Sequence, residues 1–465
     1  MGFIFGKKKN QPETQNLETA KYKEEIPAQD SFVCGVYDTF KIMNSEDLVV
    51  LCRVRGTVRL GSAVYVSNLG DDEGGVLLTQ VLGIEIDSKP VREASNCLAV
   101  LILQCGQKFP IKKGTVIYTR DQSTKNVHDV YINAIGDVFV SKQQMVFSDK
   151  DLDSMSITDC AEAWRLFGWL CSQNAGNETA EIRAENGKKL DRLASALCKK
   201  ILSAREIYCV FNKKTGEPHL FSKTLKREDG NYVCTPPDIM LISKAYAKQY
   251  AAIYETERFE LRKIENGEDG KGIINFLGSA FYQNGACGAA IISDKTAIAA
   301  QMLVTPPDYS NTPEINIPVT NPDLVRWLLL IGQLGKPNTE DEKLIYSLYY
   351  RFMSIEMQKA KFLVPIKTDG SVPAADNNGI TTLTKDMQMA FPIMRGKSDR
   401  NAVRMYTDWK RLRMEYGEEW KGLVQTISGM IDIYDCAINL TKFLSAGCYI
   451  SKEMFEDMKD KASKN

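Results

Sequence analysis

Histidine is almost absent from this chain: His128 and His219 are the only two in 465 residues. Both lie in polar, turn-like surroundings and are expected at the surface. A histidine-based zinc site needs several spaced ligands, and a Ser–His or Cys–His pair needs one histidine held rigid. Neither is expected, and no metal is assigned. Net charge is missing too, because Lys plus Arg and Asp plus Glu each total 59. That excludes a chain-wide pull on nucleic acid or anionic membrane, although a local patch stays possible. No G-x-x-x-x-G-K-[ST] run is present to wrap phosphates in backbone N–H groups beside a lysine, and no cofactor is expected. No apolar run approaches the ~20 residues of a membrane-spanning helix. The opening Met1-Gly-Phe-Ile-Phe-Gly-Lys-Lys-Lys9 places its charge after its apolar stretch, the reverse of a secretory signal. Gly6 stands where N-myristoylation needs Ser or Thr.

Cysteine is present but unorganised. Twelve are scattered without a Cys-x-x-Cys pair, and most sit in apolar runs, such as Cys52 in Val-Val-Leu-Cys-Arg-Val and Cys209 in Ile-Tyr-Cys-Val-Phe. Such residues read as reduced, buried thiols in a reducing compartment, and a cytoplasmic location is expected. Hydrophobic residues make up 44% and charged residues 25%, the balance of a globular protein. At ~150 residues per domain the length suits about three domains, each with its own core.

Residues Lys7 to Asp30 are polar and lack an apolar period, so 1–30 is expected to be a flexible leader. Phe3, Ile4 and Phe5 ahead of the lysines either fray or touch a membrane or partner. Next come β-rich runs at Phe32–Phe40, Leu48–Arg55, Ala63–Ser67, Leu77–Ile86, Cys97–Leu103 and Thr115–Thr119. Short turn spacing among them predicts a six-stranded barrel over 31–121. Gly56, Gly61 and Gly114 are placed to allow tight reversals. The residues Asp38-Thr-Phe40, Val50-x-x-Arg53-Val-x-Gly56-Thr-Val-x-x-Gly61-x-x-Val64, Val91-x-x-Ala94, Ala99-Val-x-Ile-Leu103 and Ile111-x-x-Gly114 resemble the second domain of elongation factor Tu and its relatives. The resemblance covers roughly a fifth of the chain and departs from the family at Cys97, where a glycine is usual. With no GTPase domain expected ahead of the barrel, it implies a fold and not a nucleotide cycle.

A connecting segment over 122–178 carries strand-like Val130–Asn133 and Val138–Ser141. It also carries a helix N-capped by Thr158, with Ala161, Trp164, Phe167 and Cys171 on one face. The stretch Gln173 to Glu178 reads as a linker. Two related units follow, over 179–336 and 337–460. In the first, a helix over Ala184–Ser203 leads to the strand Ile207–Phe211, the strand Asp238–Ser243, helices over Ala245–Tyr254 and Ile273–Phe281, and the strand Gly288–Ser293. In the second, the capping box Thr339-Glu-Asp-Glu342 opens a helix to Gln358. After it come the strand Lys361–Ile366, Val403–Trp409, a helix over Glu418–Ile431 and the strand Cys436–Asn439. The recurring order suggests a duplication. Between the units, Asn321-Pro322 starts a helix over Leu324–Leu334 that is apolar nearly all round, so it must be buried, packed between the units. Val403–Trp409 with its Tyr406-Thr407-Asp408, then Gly429-x-x-Asp432 and Ala437-Ile-Asn439, resemble the N-terminal domain of the bacterial SseB (enhanced serine sensitivity) family. Ile242-Ser243 matches loosely, and Leu440 stands where that family often has proline. The fold class expected is therefore multidomain, a translation-factor-type barrel followed by two SseB-like α+β domains.

No catalytic residue is assigned. Cys287, in Asn284-Gly-Ala-Cys-Gly288, is either a thiol activated by exposed N–H groups or a filler in a tight turn. Asp71-Asp-Glu73 reads as a loop tip, Glu340-Asp-Glu342 and Glu418-Glu419 as helix starts where carboxylates favour the dipole. Two basic groups are candidate interaction surfaces. Arg53 and Arg55 share one strand face, with Arg59 across the hairpin. Trp409, Lys410, Arg411 and Arg413 combine an aromatic with cations, suiting a protein interface or a stacked base. The function expected is a non-enzymatic cytoplasmic binding or scaffold protein with an unidentified protein partner. The alternative is an RNA- or ribosome-associated factor acting through the barrel.

Overall fold

The computed structural model describes residues 31–140, 147–228, 232–291, 297–368, 389–396, 399–441 and 446–463. The expected leader at 1–30, with Phe3-Ile4-Phe5, lies outside the described residues, as do Ser141 and the last residues of the strand expected over Gly288–Ser293. The described residues form two compact units, one within 31–69 and 74–148, the other within 70–73 and 149–463.

In the first unit, β1 (Phe32–Lys41), β2 (Leu48–Arg59), β3 (Ala63–Ser67), β4 (Val76–Ile86), β5 (Lys89–Val91), β6 (Glu93–Ser95), β7 (Leu98–Leu103) and β8 (Val116–Tyr118) form one antiparallel sheet. Its order β1-β8-β3-β4-β7-β2 closes through β1–β2 pairing, giving a six-stranded barrel with the short β5 and β6 appended. Alternation along the strands turns Val50, Cys52 and Val54 of β2 and Ala99, Leu101 and Leu103 of β7 into the core. Gly61 reverses the chain between β2 and β3 with φ at 83°. Gly56 instead lies inside β2 at φ 85°, where a Cβ would run into the Ser31 carbonyl. The strand expected at Val130–Asn133, and Val138 and Phe139 of the one expected after it, belong instead to a single helix, α1 (Thr124–Phe139). Ser123 caps it, and Val127, Val130, Tyr131, Ala134 and Ile135 fall on one buried stripe. The helical period wins over β-propensity because that stripe has the barrel to cover.

In the second unit, α2 (Asp149–Ser154) and α3 (Ile157–Asn174) precede α4 (Ala180–Ser203). Ser156, not Thr158, caps α3, in a capping box with Asp159. Then follow β9 (Glu206–Asn212), β10 (Thr224–Lys226), β11 (Tyr232–Cys234), β12 (Asp238–Ile242), α5 (Lys244–Tyr254), β13 (Phe259–Glu265), α6 (Gly272–Tyr282), β14 (Gly288–Ile291), β15 (Ala297–Ala299) and α7 (Ala300–Leu303). After α8 (Pro322–Leu334) come α9 (Glu340–Lys359), β16 (Phe362–Thr368), β17 (Met389–Ala390), β18 (Ile393–Arg395), β19 (Asn401–Met405), α10 (Trp409–Arg413), β20 (Lys421–Gln425), α11 (Ile427–Met430), β21 (Asp435–Ile438), β22 (Cys448–Ile450) and α12 (Lys452–Ser463).

One topology occurs twice. The first sheet runs β13-β9-β12-β14-β15, antiparallel except for the parallel β12–β14 pair. In the second half β20-β16 and β19-β21-β22 are joined by a bridge between Leu363 and Tyr406, and the parallel pair is β19–β21. This correspondence shows where the helix expected over Glu418–Ile431 went wrong. Lys421–Gln425 is the strand equivalent to β13, and only one helical turn, α11, follows. Glu418-Glu419 accordingly precedes a strand and starts no helix. Helix α8 is buried along most of its surface, with Pro322 in its first turn. Its capping residue Asn321 donates to the carbonyls of Lys361 and Thr407, and its Gln333 bonds Leu220 N and Pro218 O, so it ties the halves together. Among the described residues no helix is long and apolar enough to cross a membrane.

Candidate interaction surfaces

Alternation along β2 and β7 sends Val49, Leu51 and Arg53 outward from one strand and Leu98, Val100 and Ile102 outward from its neighbour. Phe40 of β1 pairs with Val49, and Val49 with Ile102, so an apolar row crosses three strands on the barrel's outer side. Ile102 extends over Gly83 of β4, where a Cβ would come within 2.8 Å of its Cδ1. Phe40 is 51% exposed and Leu98 46%, and on β4 Leu78 is 61% exposed. A wet barrel face would ordinarily carry polar side chains at these positions. Clustered exposed apolar residues of this kind mark contact surfaces. The sequence held the signal: Leu98-Ala-Val-Leu-Ile-Leu103 is apolar at every position, which one-sided burial does not require.

The arginines sit at one end of this face. Arg53 Nε donates to the Tyr37 hydroxyl at 3.3 Å, and that hydroxyl donates to Asp137 of α1 at 2.5 Å. Burial, then the bond to Asp137, pushes the Tyr37 phenol up to about 12. Arg59 pairs with Glu93 at 3.2 Å, both well exposed. Two of the three arginines thus have carboxylate or phenol partners on the barrel unit itself, and Arg55 is exposed beside them.

One member of the second basic group is turned inward. Arg411 is 0% exposed, which removes it from any surface. Asp408 caps α10 and accepts from Arg411 N, while Arg411 Nη1 donates to Asp408 Oδ2 at 2.5 Å. Nη2 of the same side chain donates to Glu217 Oε1 at 3.0 Å and Asn284 Oδ1 at 2.8 Å in the first half. The Asn284 amide donates in turn to Glu217 Oε2. The physical reason is spacing: a residue three positions into a helix lies back over its cap, so Arg411 follows Asp408 into the junction. Trp409 packs over Leu363, Tyr406 and Leu412, with the Arg413 guanidinium 5.0 Å from its ring centre. Arg413 donates to the carbonyls of Gly417 and Trp420. Lys410 is exposed but reaches Ser279 Oγ at 3.2 Å.

His219 is also a correction. Its ring lies 4.5 Å from that of Phe221 and 4.7 Å from that of Phe259, and burial, with Arg258 adding, pushes its pKa down to about 4. His128 sits half-buried on α1. Burial raises the Cys287 thiol, with Arg326 opposing, which is unlike the setting of a thiolate nucleophile. All twelve cysteines are free.

No protein-family model matches the chain, and no curated protein matches it. Solved structures similar to it include translation elongation factor SelB from Methanococcus maripaludis in the apo form. That match is 21% identical with a TM-score of 0.17, covering 20% of this chain and 19% of that one. The same factor in complex with the GTP analogue GPPNHP matches at 20% identity and a TM-score of 0.17, covering 23% and 22%. The chain thus spans about a fifth of the length of these structures, and no activity follows from the likeness.

Proposed function

We propose that this is a non-enzymatic binding protein whose translation-factor-type barrel docks a protein partner, carried on two SseB-like α+β repeats. The observation that carries the reading is the outward apolar row Phe40–Val49–Ile102 with Leu98 and Val100 beside it. Interfaces of this kind concentrate their energy in a few apolar or aromatic anchors, with arginine at the rim. The repeated strand order supports the SseB-like reading of the second unit. Twelve free cysteines fit a reducing, cytoplasmic setting.

RNA or ribosome contact through Arg53, Arg55 and Arg59 is the weaker reading, because Arg53 and Arg59 already have partners on the barrel unit. Native capture with the wild-type chain and with Leu98→Glu, each with and without ribonuclease, separates the two. The protein reading expects a partner that survives ribonuclease and is lost with Leu98→Glu at unchanged melting temperature. Capture lost to ribonuclease alone, with the same salt sensitivity in both chains, favours the RNA reading.

A further inference from the structure

Between α8, α9 and α12 the second unit holds a cavity of about 220 Å³. Its walls are Ile331 of α8, Tyr346, Tyr350 and Met353 of α9, and Met458 of α12. The space is open to solvent on one side, and most of its lining is apolar. In the first half, α3 packs along α4, the counterpart of α9. In the second half, α8 and α12 both pack on α9, and the space lies between them. The two tyrosine rings stack with centres 6.2 Å apart, and methionine side chains adapt readily to an apolar guest. At the mouth stands Lys214, exposed and lining the same space. Among the described residues its ammonium has no carboxylate partner. Asp457, 3.5 Å from the Tyr350 hydroxyl, is paired with Lys461 at 2.8 Å.

We infer that this cavity is a binding site for a medium-chain carboxylate, with its chain between the tyrosines and methionines and its charge at Lys214. An apolar cavity of about 150 Å³ takes up benzene. Scaling by volume gives roughly nine carbon atoms here. A ligand seated so would touch α8, α9, α12 and the Lys214–Thr215 turn that follows β9, and would reinforce the junction of the two halves.

Calorimetric titration of the full chain with nonanoate and with nonylammonium, both kept below micelle formation, tests the assignment. Nonanoate is expected to bind saturably at one site and nonylammonium much more weakly. Lys214→Glu, at an exposed position, should weaken nonanoate about tenfold, as loss and reversal of one partly screened charge implies, and should improve nonylammonium. Ile331→Trp, which fills the space, should abolish both. Absence of saturable binding overturns the proposal, as does nonanoate binding unchanged by Lys214→Glu or retained in a folded Ile331→Trp protein.

Discussion

Arg411 donates to Glu217 at 3.0 Å across 194 positions of the chain, joining the first turn of α10 to the turn beyond β9. Both side chains are nearly inaccessible, at 0% and 9%. The bond closes a set in which Asp408, Glu217 and Asn284 all converge on one guanidinium. Its Nε is buried without a partner among the described residues, so the fit favours the two carboxylates over complete satisfaction of the arginine.

Removing that guanidinium leaves the buried Asp408 carboxylate without a cation among the described residues, and Glu217 with only Lys410 at 3.7 Å. Arg411→Met is expected to destabilise the second unit by about 3–5 kcal/mol, the range for breaking a buried pair from one side. The double variant Arg411→Met with Glu217→Met should recover part of the loss, because no uncompensated charge then remains on the first half. Urea unfolding of both variants measures the coupling. A loss under about 1 kcal/mol in the single variant would mean the cluster holds nothing together.

The first unit has its own tight contact. Gly35 of β1 lies under α1, and a Cβ there would overlap the Ala134 Cβ. Gly35→Ala is expected to cost about 1–3 kcal/mol by forcing the helix off the strand. Ala134→Gly in the same chain should return part of it. Amide exchange along Thr124–Phe139 reads the detachment, since protection of α1 should fall before that of the barrel strands.

Much of this architecture was legible from residues, and the misses share one cause. The barrel strands, the capping box at Thr339 and the Pro322 helix were readable because alternation, capping and proline chemistry are local. Lys421–Gln425 looked helical beside Glu418 and Trp420, and only its pairing with β16 makes it a strand. Val130–Asn133 is β-prone in isolation, yet α1 forms because Ala134 has Gly35 to pack on. Arg411 departs from its expected surface position for a related reason. Arg411 reads as a surface cation until Glu217, far away in sequence, is brought to it. The barrel face was missed because its residues look like core residues, which they resemble chemically.

His219 gives the fold an acid-sensitive element. Its folded pKa of about 4 lies below the ordinary 6.5. The unfolded chain therefore takes up the proton first, and stability present above 6.5 is lost as pH falls toward 4. Between pH 7 and 4.5 the wild-type chain should lose about 2 kcal/mol more than His219→Phe. Phenylalanine keeps the contacts with Phe221 and Phe259, and among the described residues the imidazole Nδ1 has no partner to lose. Parallel pH profiles for the two chains would refute this.

Asp238 works in the opposite sense. It opens β12 with its carboxyl close over the neighbouring strand, where a Cβ on Gly288 would be 3.0 Å from its Oδ1. Burial alone raises its pKa from the ordinary 3.8 to about 6. The native chain then holds a proton that the unfolded chain has released, so stability falls as pH rises from 3.8 through 6 and the cost is complete above that. Asp238→Asn keeps the shape and removes the charge. At pH 7 it should stabilise the second unit by roughly 1–2 kcal/mol, a value reduced from the full linkage figure because the carboxyl is only partly buried. At pH 3.5 the variant and wild type should unfold together, since both side chains are neutral there. Denaturant midpoints across that range decide it, and an advantage that persists at pH 3.5 would point to packing or hydrogen bonding in place of charge.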